Sequence, residues 1–347
     1  MYLTEISNFP SSFSLFKKTK AKTGADGGFD FISRSFDESL LRRLKTLDPP
    51  AISLSWLSKA VDFLSFVHSE AKTLVSRLEV ASFDESLALY LEDSAKVLDL
   101  CNFISSEIER IRHRRLSIGF AIHLLTTSES GRNLEKLRRA RDLLSGSVNG
   151  VGYPEVKKRR FGIGSDGIKD LVKELALRLE RPPRGKISSA NRLVRRTIYA
   201  VGLVTVFVAG AVVAALHRST ELISVRAPSD FSWADSVNGL EAAISTELSR
   251  RFADKNEKKA HFSELDDVER QLKELSDVID DVTGGESVEN KNKEESFDGV
   301  VKKLERVTEV LIEGLDGLSN GVNGLFNTVL SHRNGMLGKW RVDIEKK

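Results

Sequence analysis

IYAVGLVTVFVAGAVVAAL runs from Ile198 to Leu216 without a single charge. As an α-helix these nineteen residues would be about 28 Å long, close to the ~30 Å hydrocarbon thickness of a bilayer. Arg192, Arg195 and Arg196 precede the segment, and His217 and Arg218 follow it. A spanning helix with those flanks would keep the N-terminal half of the chain in the cytosol. Gly210 and Ala214 add a small-xxx-small pair suited to helix contact. The composition pulls the other way. Six valines and five alanines stand against two leucines, a modest drive into lipid. A helix that is apolar all round is equally the centre of a large bundle. Ile198, Val201, Val204, Phe207, Val208, Val212 and Leu216 therefore mark either a membrane span or a buried core helix. A peripheral membrane contact lies between the two.

Outward from this helix, placed at 191–218, the chain reads as all-α. Residues 51–145 carry the clearest helical code. Trp56, Ala60, Phe63, Val67, Ala71, Leu74 and Leu78 recur in steps of three and four, which places them on one face. Leu87, Leu91, Leu98, Cys101 and Ile108 form a second stripe. Leu116, Phe120, His123 and Leu124 form a third, with His123 read as a hydrogen-bonded core residue, and Leu134, Leu137 and Leu144 a fourth. Four amphipathic helices with short connections predict an antiparallel bundle. Residues 146–190 read as a basic linker holding one helix near 168–179. Residues 1–50 read as a mobile leader, closed by Pro49–Pro50. It holds a short helix over 36–47 that starts at the capping-box pattern Ser35…Glu38. The hexapeptide SFDESL recurs at Ser82–Leu87, which reads as a reused helix start.

Past the apolar helix, residues 219–340 predict helices over 233–252, 262–282 and 297–330, with an acidic, solvated loop near 284–296. The last of these carries two stripes. One is Leu311, Leu315, Leu318, Val322, Leu325 and Val329; the other is Gly314, Gly317, Gly321 and Gly324. Each glycine costs a helix interior about 1 kcal/mol relative to alanine. Close packing of another helix against Gly314, Gly317, Gly321 and Gly324 would offset that cost. The whole chain thus reads as an elongated multi-helix bundle of antiparallel helices around one central apolar helix.

Composition narrows the function classes. With 40 % hydrophobic and 30 % charged residues, a chain of 347 residues can bury a core. Its single cysteine, Cys101, excludes an internal disulfide and a cysteine-built metal cluster. A net charge of +3 does not point to nucleic acid. Locally the charge is uneven. Residues 151–197 hold thirteen Lys/Arg against five Asp/Glu, and residues 254–298 hold seven against fifteen. These blocks would attract each other, face different partners, or simply be solvated. The tetrad Lys157, Lys158, Arg159, Arg160 is a basic patch, as a solvated loop, a nuclear import signal or a contact for anionic lipid or RNA. Arg110, Arg112, His113, Arg114 and Arg115 spread over several helix faces and do not indicate nucleic-acid readout.

No motif points to catalysis, a cofactor or a metal. Gly162-Ile163-Gly164-Ser165-Asp166-Gly167 matches G-x-G-x-x-G, but the basic tetrad precedes it where a dinucleotide site needs a buried strand. Neither an H-E-x-x-H pair, a phosphate-binding G-x-x-x-x-G-K-[ST] loop nor a G-x-S-x-G elbow is present. The leader lacks the apolar core of a secretory signal. Its Ser-, Phe- and Lys-rich make-up leaves a plastid location as the lesser alternative to a membrane-associated or cytoplasmic one.

Leu54-Ser55-Trp56-Leu57-Ser58-Lys59-Ala60 and the stretch LYLEDSAKVLDLCN at Leu89–Asn102 resemble the plant BYPASS-related family. Trp233-Ala234-Asp235-Ser236, Glu313-Gly314-Leu315-Asp316-Gly317-Leu318 and Leu325-Phe326 extend the resemblance over roughly 51–338. It implies a plant protein with a role in root and shoot development, and it carries no catalytic residues over, since none are established for the family. The family's founding branch restrains a root-derived mobile signal. A related branch is connected with the exocyst, the vesicle-tethering complex, which makes an exocyst subunit a candidate partner. The expected function is a non-enzymatic regulator or adaptor that works through protein partners at or near a membrane. The alternatives are a soluble helical interaction protein of vesicle trafficking, and a binder or enzyme for a small apolar signalling compound.

Overall fold

The computed structural model describes residues 25–47, 51–78, 85–126, 134–149, 165–184, 187, 189–217, 219–252, 262–284 and 291–345. Among them nine α-helices follow one another: α1 (Ala25–Leu44), α2 (Leu54–Arg77), α3 (Glu85–Thr126), α4 (Leu134–Asn149), α5 (Ser165–Leu177), α6 (Ala190–His217), α7 (Ala234–Phe252), α8 (Ser263–Gly284) and α9 (Lys291–Glu345). No strand occurs among the described residues, so the fold is all-α. The 55 residues of α9 make it about 80 Å long, and the bundle is elongated along it.

The apolar helix is buried. Twenty residues of α6 are shielded from solvent, including Val201, Val204, Phe207, Val208, Val212 and Leu216, while Ile198 is half-buried. The cover comes from the protein itself. α1, α2, α3, α5 and α7 all pack on α6. The extended segment 219–228 crosses it so closely that a Cβ on Gly210 would lie 2.0 Å from the Ile223 carbonyl oxygen. A helix apolar on every face is stable in water only when every face is covered, and here each direction has a protein partner.

The second spine is α9, against which α2, α3 and α8 pack. The order of contacts sets the directions. Leu54, Ser58 and Asp62 of α2 meet Gly314, Gly317 and Gly321 of α9 in rising order, so this pair is parallel. α3 runs the other way: its Tyr90 meets His332 and its Arg112 meets Asp316. The α2–α9 pair is therefore an exception to the antiparallel arrangement. The first turn of α2 is held by two residues. Ser53 Oγ accepts from the Trp56 N–H at 3.1 Å, and the Leu54 N–H donates to both carboxylate oxygens of Glu264 at 3.0 Å. Glu264 thus closes the helix start from 210 residues away and pins the beginning of α8 to it.

Several expectations need correction. Part of the supposed mobile leader is α1, whose Phe36, Leu40 and Leu44 join the core. Ser35 lies inside this helix, so the first SFDESL is not a cap. Its Asp37 and Ser39 are buried instead. The second and third stripes belong to one helix, α3, and the third was placed on the wrong face. Leu116, Phe120 and His123 are exposed, while Ile111, Ile118, Ala121 and Ile122 are buried. Leu134 of α4 is also exposed. Helices 51–145 do not form a bundle of their own, because the main partner of α2 is α9 from the far end of the chain.

Candidate functional site

Four helices converge on a buried chain of polar side chains. His68 comes from α2, Tyr90 from α3, Thr205 from α6 and His332 from α9, and each is at most 4 % exposed. The Tyr90 hydroxyl lies 3.0 Å from His68 Nδ1 and 2.7 Å from His332 Nδ1. One hydroxyl carries one proton, so it donates to one ring and accepts from the other. Thr205 decides which. Its hydroxyl donates to the Val201 carbonyl at 2.7 Å, leaving an oxygen lone pair toward His68 Nε2 at 3.5 Å. His68 therefore carries its proton on Nε2 and accepts the Tyr90 proton at Nδ1. His332 donates its Nδ1–H to Tyr90.

The electrostatics are those of a buried structural joint. Burial, followed by the neighbouring His332, lowers His68 from 6.5 to about 3. Burial pushes the Tyr90 phenol well above its ordinary value. A base of that kind takes up no proton near neutrality, and the phenol releases none. One turn along, the Arg333 guanidinium donates to the Leu91 carbonyl and, at 3.0 Å, to Ser94 Oγ. The α3–α9 side of the junction is thereby fastened twice.

A second joint ties α1 and α6 to the segment that leads into α7. Arg196 Nη2 donates to Asp37 Oδ2 and to the Asp230 carbonyl, both at 2.8 Å, and Nε donates to Ser33 Oγ at 3.1 Å. Its guanidinium stacks 4.0 Å over the Phe231 ring, and Trp233 Nε1 donates to the other Asp37 oxygen at 3.2 Å. Arg196, read as the basic flank of a membrane span, is thus the half-buried cation that pairs with buried Asp37. A pair of this kind orders a fold because the buried carboxylate alone would be an uncompensated charge.

The residues singled out from sequence fall apart in space. The α6 set lies in the core. Gly314, Gly317 and Gly321 face α2. A Cβ on Gly314 would meet the Leu54 side chain at 2.8 Å, and one on Gly321 the Asp62 carboxylate at 3.1 Å, while at Gly317 Ser58 Oγ is 3.8 Å away. Gly324 faces open space. Lys157, Lys158, Arg159 and Arg160 lie outside the described residues, and so do the first three positions of the G-x-G-x-x-G pattern. Three of the four arginines of 110–115 are engaged in described ion pairs. Arg110 pairs with Glu107, Arg112 with Glu109 and Asp316, and Arg114 with Glu269. Some described ion pairs join each charged block to other helices: Arg178 to Glu92 and Asp93 of α3, Asp280 to Arg141 of α4, and Asp266 to Arg251 of α7. Buried Cys101, with its thiol raised to about 12 by burial, is an inert core residue. Among the described residues no three His, Cys, Asp or Glu side chains cluster as metal ligands would.

Sequence reasoning missed His68, Tyr90 and His332. The available signal was their phase. His68 follows Leu64 and Val67, and His332 continues the α9 stripe three residues after Val329.

Comparison with known proteins places the chain. The family model described as "Protein ROH1-like" matches residues 33–152 and 146–339. The chain is 32 % identical over 249 residues to UPF0496 protein 4 of Oryza sativa subsp. indica, covering 70 % of this chain and 52 % of that protein. The matched chain thus spans about half the length of its rice relatives. It is 27 % identical over 316 residues to Protein BPS1, chloroplastic, of Arabidopsis thaliana, covering 88 % and 83 % of the two chains. Protein ROH1D of the same plant is 22 % identical over 325 residues, 81 % and 80 % of the two. No solved structure matches. The BPS1 match supports the BYPASS resemblance read from the sequence, and the coverage of the family model shows that the chain belongs to the ROH1-like family.

Proposed function

We propose that this protein is a non-enzymatic plant regulator that works as a rigid helical adaptor for protein partners. The observation that carries the reading is how its buried polar groups are used. The Thr205–His68–Tyr90–His332 chain joins four helices and the Asp37–Arg196 pair joins α1 to α6, while burial keeps His68 from taking up a proton near neutrality. Such a core specifies one shape, and shape is what an adaptor presents. The BYPASS-related resemblance of the sequence implies a developmental role in root and shoot growth and in restraining a root-derived mobile signal. An exocyst subunit is the partner to test first.

Membrane association on this reading is peripheral, because α6 is enclosed by its own protein. The basic tetrad 157–160 is the contact for anionic lipid. Flotation of the full chain with vesicles containing phosphatidylserine tests this. Binding that is lost when Lys157, Lys158, Arg159 and Arg160 are all replaced by Gln supports it. A chain that stays at the bottom of the gradient favours the alternative, a soluble interaction protein of vesicle trafficking. Direct binding to purified exocyst subunits tests the partner, and absence of binding to each of them removes it.

A further inference from the structure

Between α1 and the C-terminal half of α2 lies a cavity of about 430 Å³. Ile32 and Phe36 of α1 and Leu74 of α2 give it an apolar floor, and Phe36 and Leu74 are themselves buried. At ~30 Å³ for each water, the space equals about fourteen waters, enough for a ligand of about a dozen non-hydrogen atoms. An apolar floor with a few polar groups at the edge is the usual form of a small-molecule site. None of these side chains belongs to the four-helix joint or to the Asp37–Arg196 pair.

The rim decides the ligand's charge. Its polar groups are Ser35, Glu70, Thr73 and Arg77, and most are committed within the protein. The Thr73 hydroxyl donates to the Ser69 carbonyl at 3.0 Å. Glu70 and Arg77 are one charge of each sign. Arg77 already has a partner in the fold. Burial raises the Glu70 carboxyl, and Arg77 is foremost among the charges that oppose it. Arg42 and Arg43 do not line the cavity: Arg42 Nε donates to the Glu38 carbonyl, and the Arg43 guanidinium stacks 4.7 Å over the Phe66 ring. The lining is therefore balanced. A cation would meet Arg77 and an anion would meet Glu70. Either would lose hydration over the apolar floor with no net charge to offset the loss. An uncharged body loses little and gains the burial of its apolar surface. The Ser35 hydroxyl is the rim group left to meet a polar atom of the ligand. We propose that this cavity binds a small uncharged apolar compound, one or two rings in size, with a single hydroxyl or carbonyl at the rim. This site does not depend on the adaptor reading, which needs no small ligand.

Equilibrium dialysis of the full chain at neutral pH against 2-naphthol, 2-naphthoate and 2-naphthylmethylamine tests the proposal, since the three share a ring body and differ in charge. 2-Naphthol is expected to bind saturably at one per chain, and each charged probe at least tenfold more weakly. Glu70→Gln should strengthen naphthoate about threefold or more, and Arg77→Gln should do the same for the amine. Both should leave 2-naphthol unchanged. Ile32→Trp fills the space from α1, and Thr73→Trp fills it from an exposed position on α2. Each should abolish 2-naphthol binding while circular dichroism shows an intact helical melt. Absence of saturable 2-naphthol binding to the folded chain would overturn the proposal. So would a charged probe that binds as tightly as 2-naphthol, charged probes indifferent to both rim variants, or 2-naphthol affinity unchanged in both Trp variants.

Discussion

Two glycines of similar appearance in the sequence have opposite consequences in the fold. At Gly210 a Cβ would collide with the Ile223 carbonyl oxygen at 2.0 Å, and that backbone cannot swing aside as a side chain can. Gly210→Ala should cost about 1–3 kcal/mol, as overpacking does. At Gly324 nothing lies within 4 Å, so Gly324→Ala should stabilise the protein by up to ~1 kcal/mol through helix propensity alone. Urea midpoints of the two variants check both signs. Tyr90 is the residue on which the polar chain turns, since its one hydroxyl serves two histidines. Tyr90→Phe leaves both ring Nδ1 atoms without that partner and should cost about 1–3 kcal/mol. His68 gives a pH dependence. It binds a proton near pH 6.5 when unfolded and near 3 when folded. The unfolded state therefore holds more protons between those values, and stability falls as pH drops from 6.5 towards 3. Asp93, raised to about 6 chiefly by burial and despite Arg178 and Lys96, opposes this, since a carboxyl raised on folding stabilises at low pH and loses that contribution as pH rises through 6. Replacing His68 by Gln should remove the first component and leave the second, read as urea midpoints from pH 7 to pH 4. None of these partnerships was legible in the sequence, because 22 and 242 residues separate the groups that Tyr90 joins.

At the level of single helices, the periodicity found most of the elements, and its failures have a physical cause. α7 and α8 match the expected spans within two residues, because each has one unambiguous apolar face. α3 does not. From Leu116 onward it carries apolar residues on two faces, and the larger side chains, Leu116 and Phe120, are the exposed ones at 58 % and 46 %. The steps Ile104, Ile108, Ile111, continued through Arg115, land on Ile118 and Ile122. That phase is the buried one. The two faces predict different mutational costs. Phe120→Ser should stay within about 0.5 kcal/mol, the range of surface changes. Ile118→Ala should cost about 2–5 kcal/mol, as loss of a core side chain does. Chemical denaturation of both variants decides which face is core. The glycine stripe of α9 was legible as a place of close approach, but its partner was not. Nothing local in the sequence says that Gly314 meets Leu54 of α2, 260 residues earlier.

For the molecule as a whole, the open question in the sequence was where a nineteen-residue uncharged helix belongs. Composition permits a span or a core, because both environments are apolar and length alone does not separate them. The structure resolves the ambiguity through neighbours. α1, α2, α3, α5, α7 and the 219–228 segment enclose α6, and the arginine at its start is committed to Asp37. The central claim is that α6 is the core helix of a protein that folds in water. Hydrogen exchange on the full chain, purified without detergent, tests it most directly. The account predicts a monodisperse protein whose 198–216 amides exchange only through global unfolding, among the slowest in the chain. A chain that stays dispersed only in detergent, or 198–216 amides that exchange in water while α2 and α9 remain protected, would contradict it.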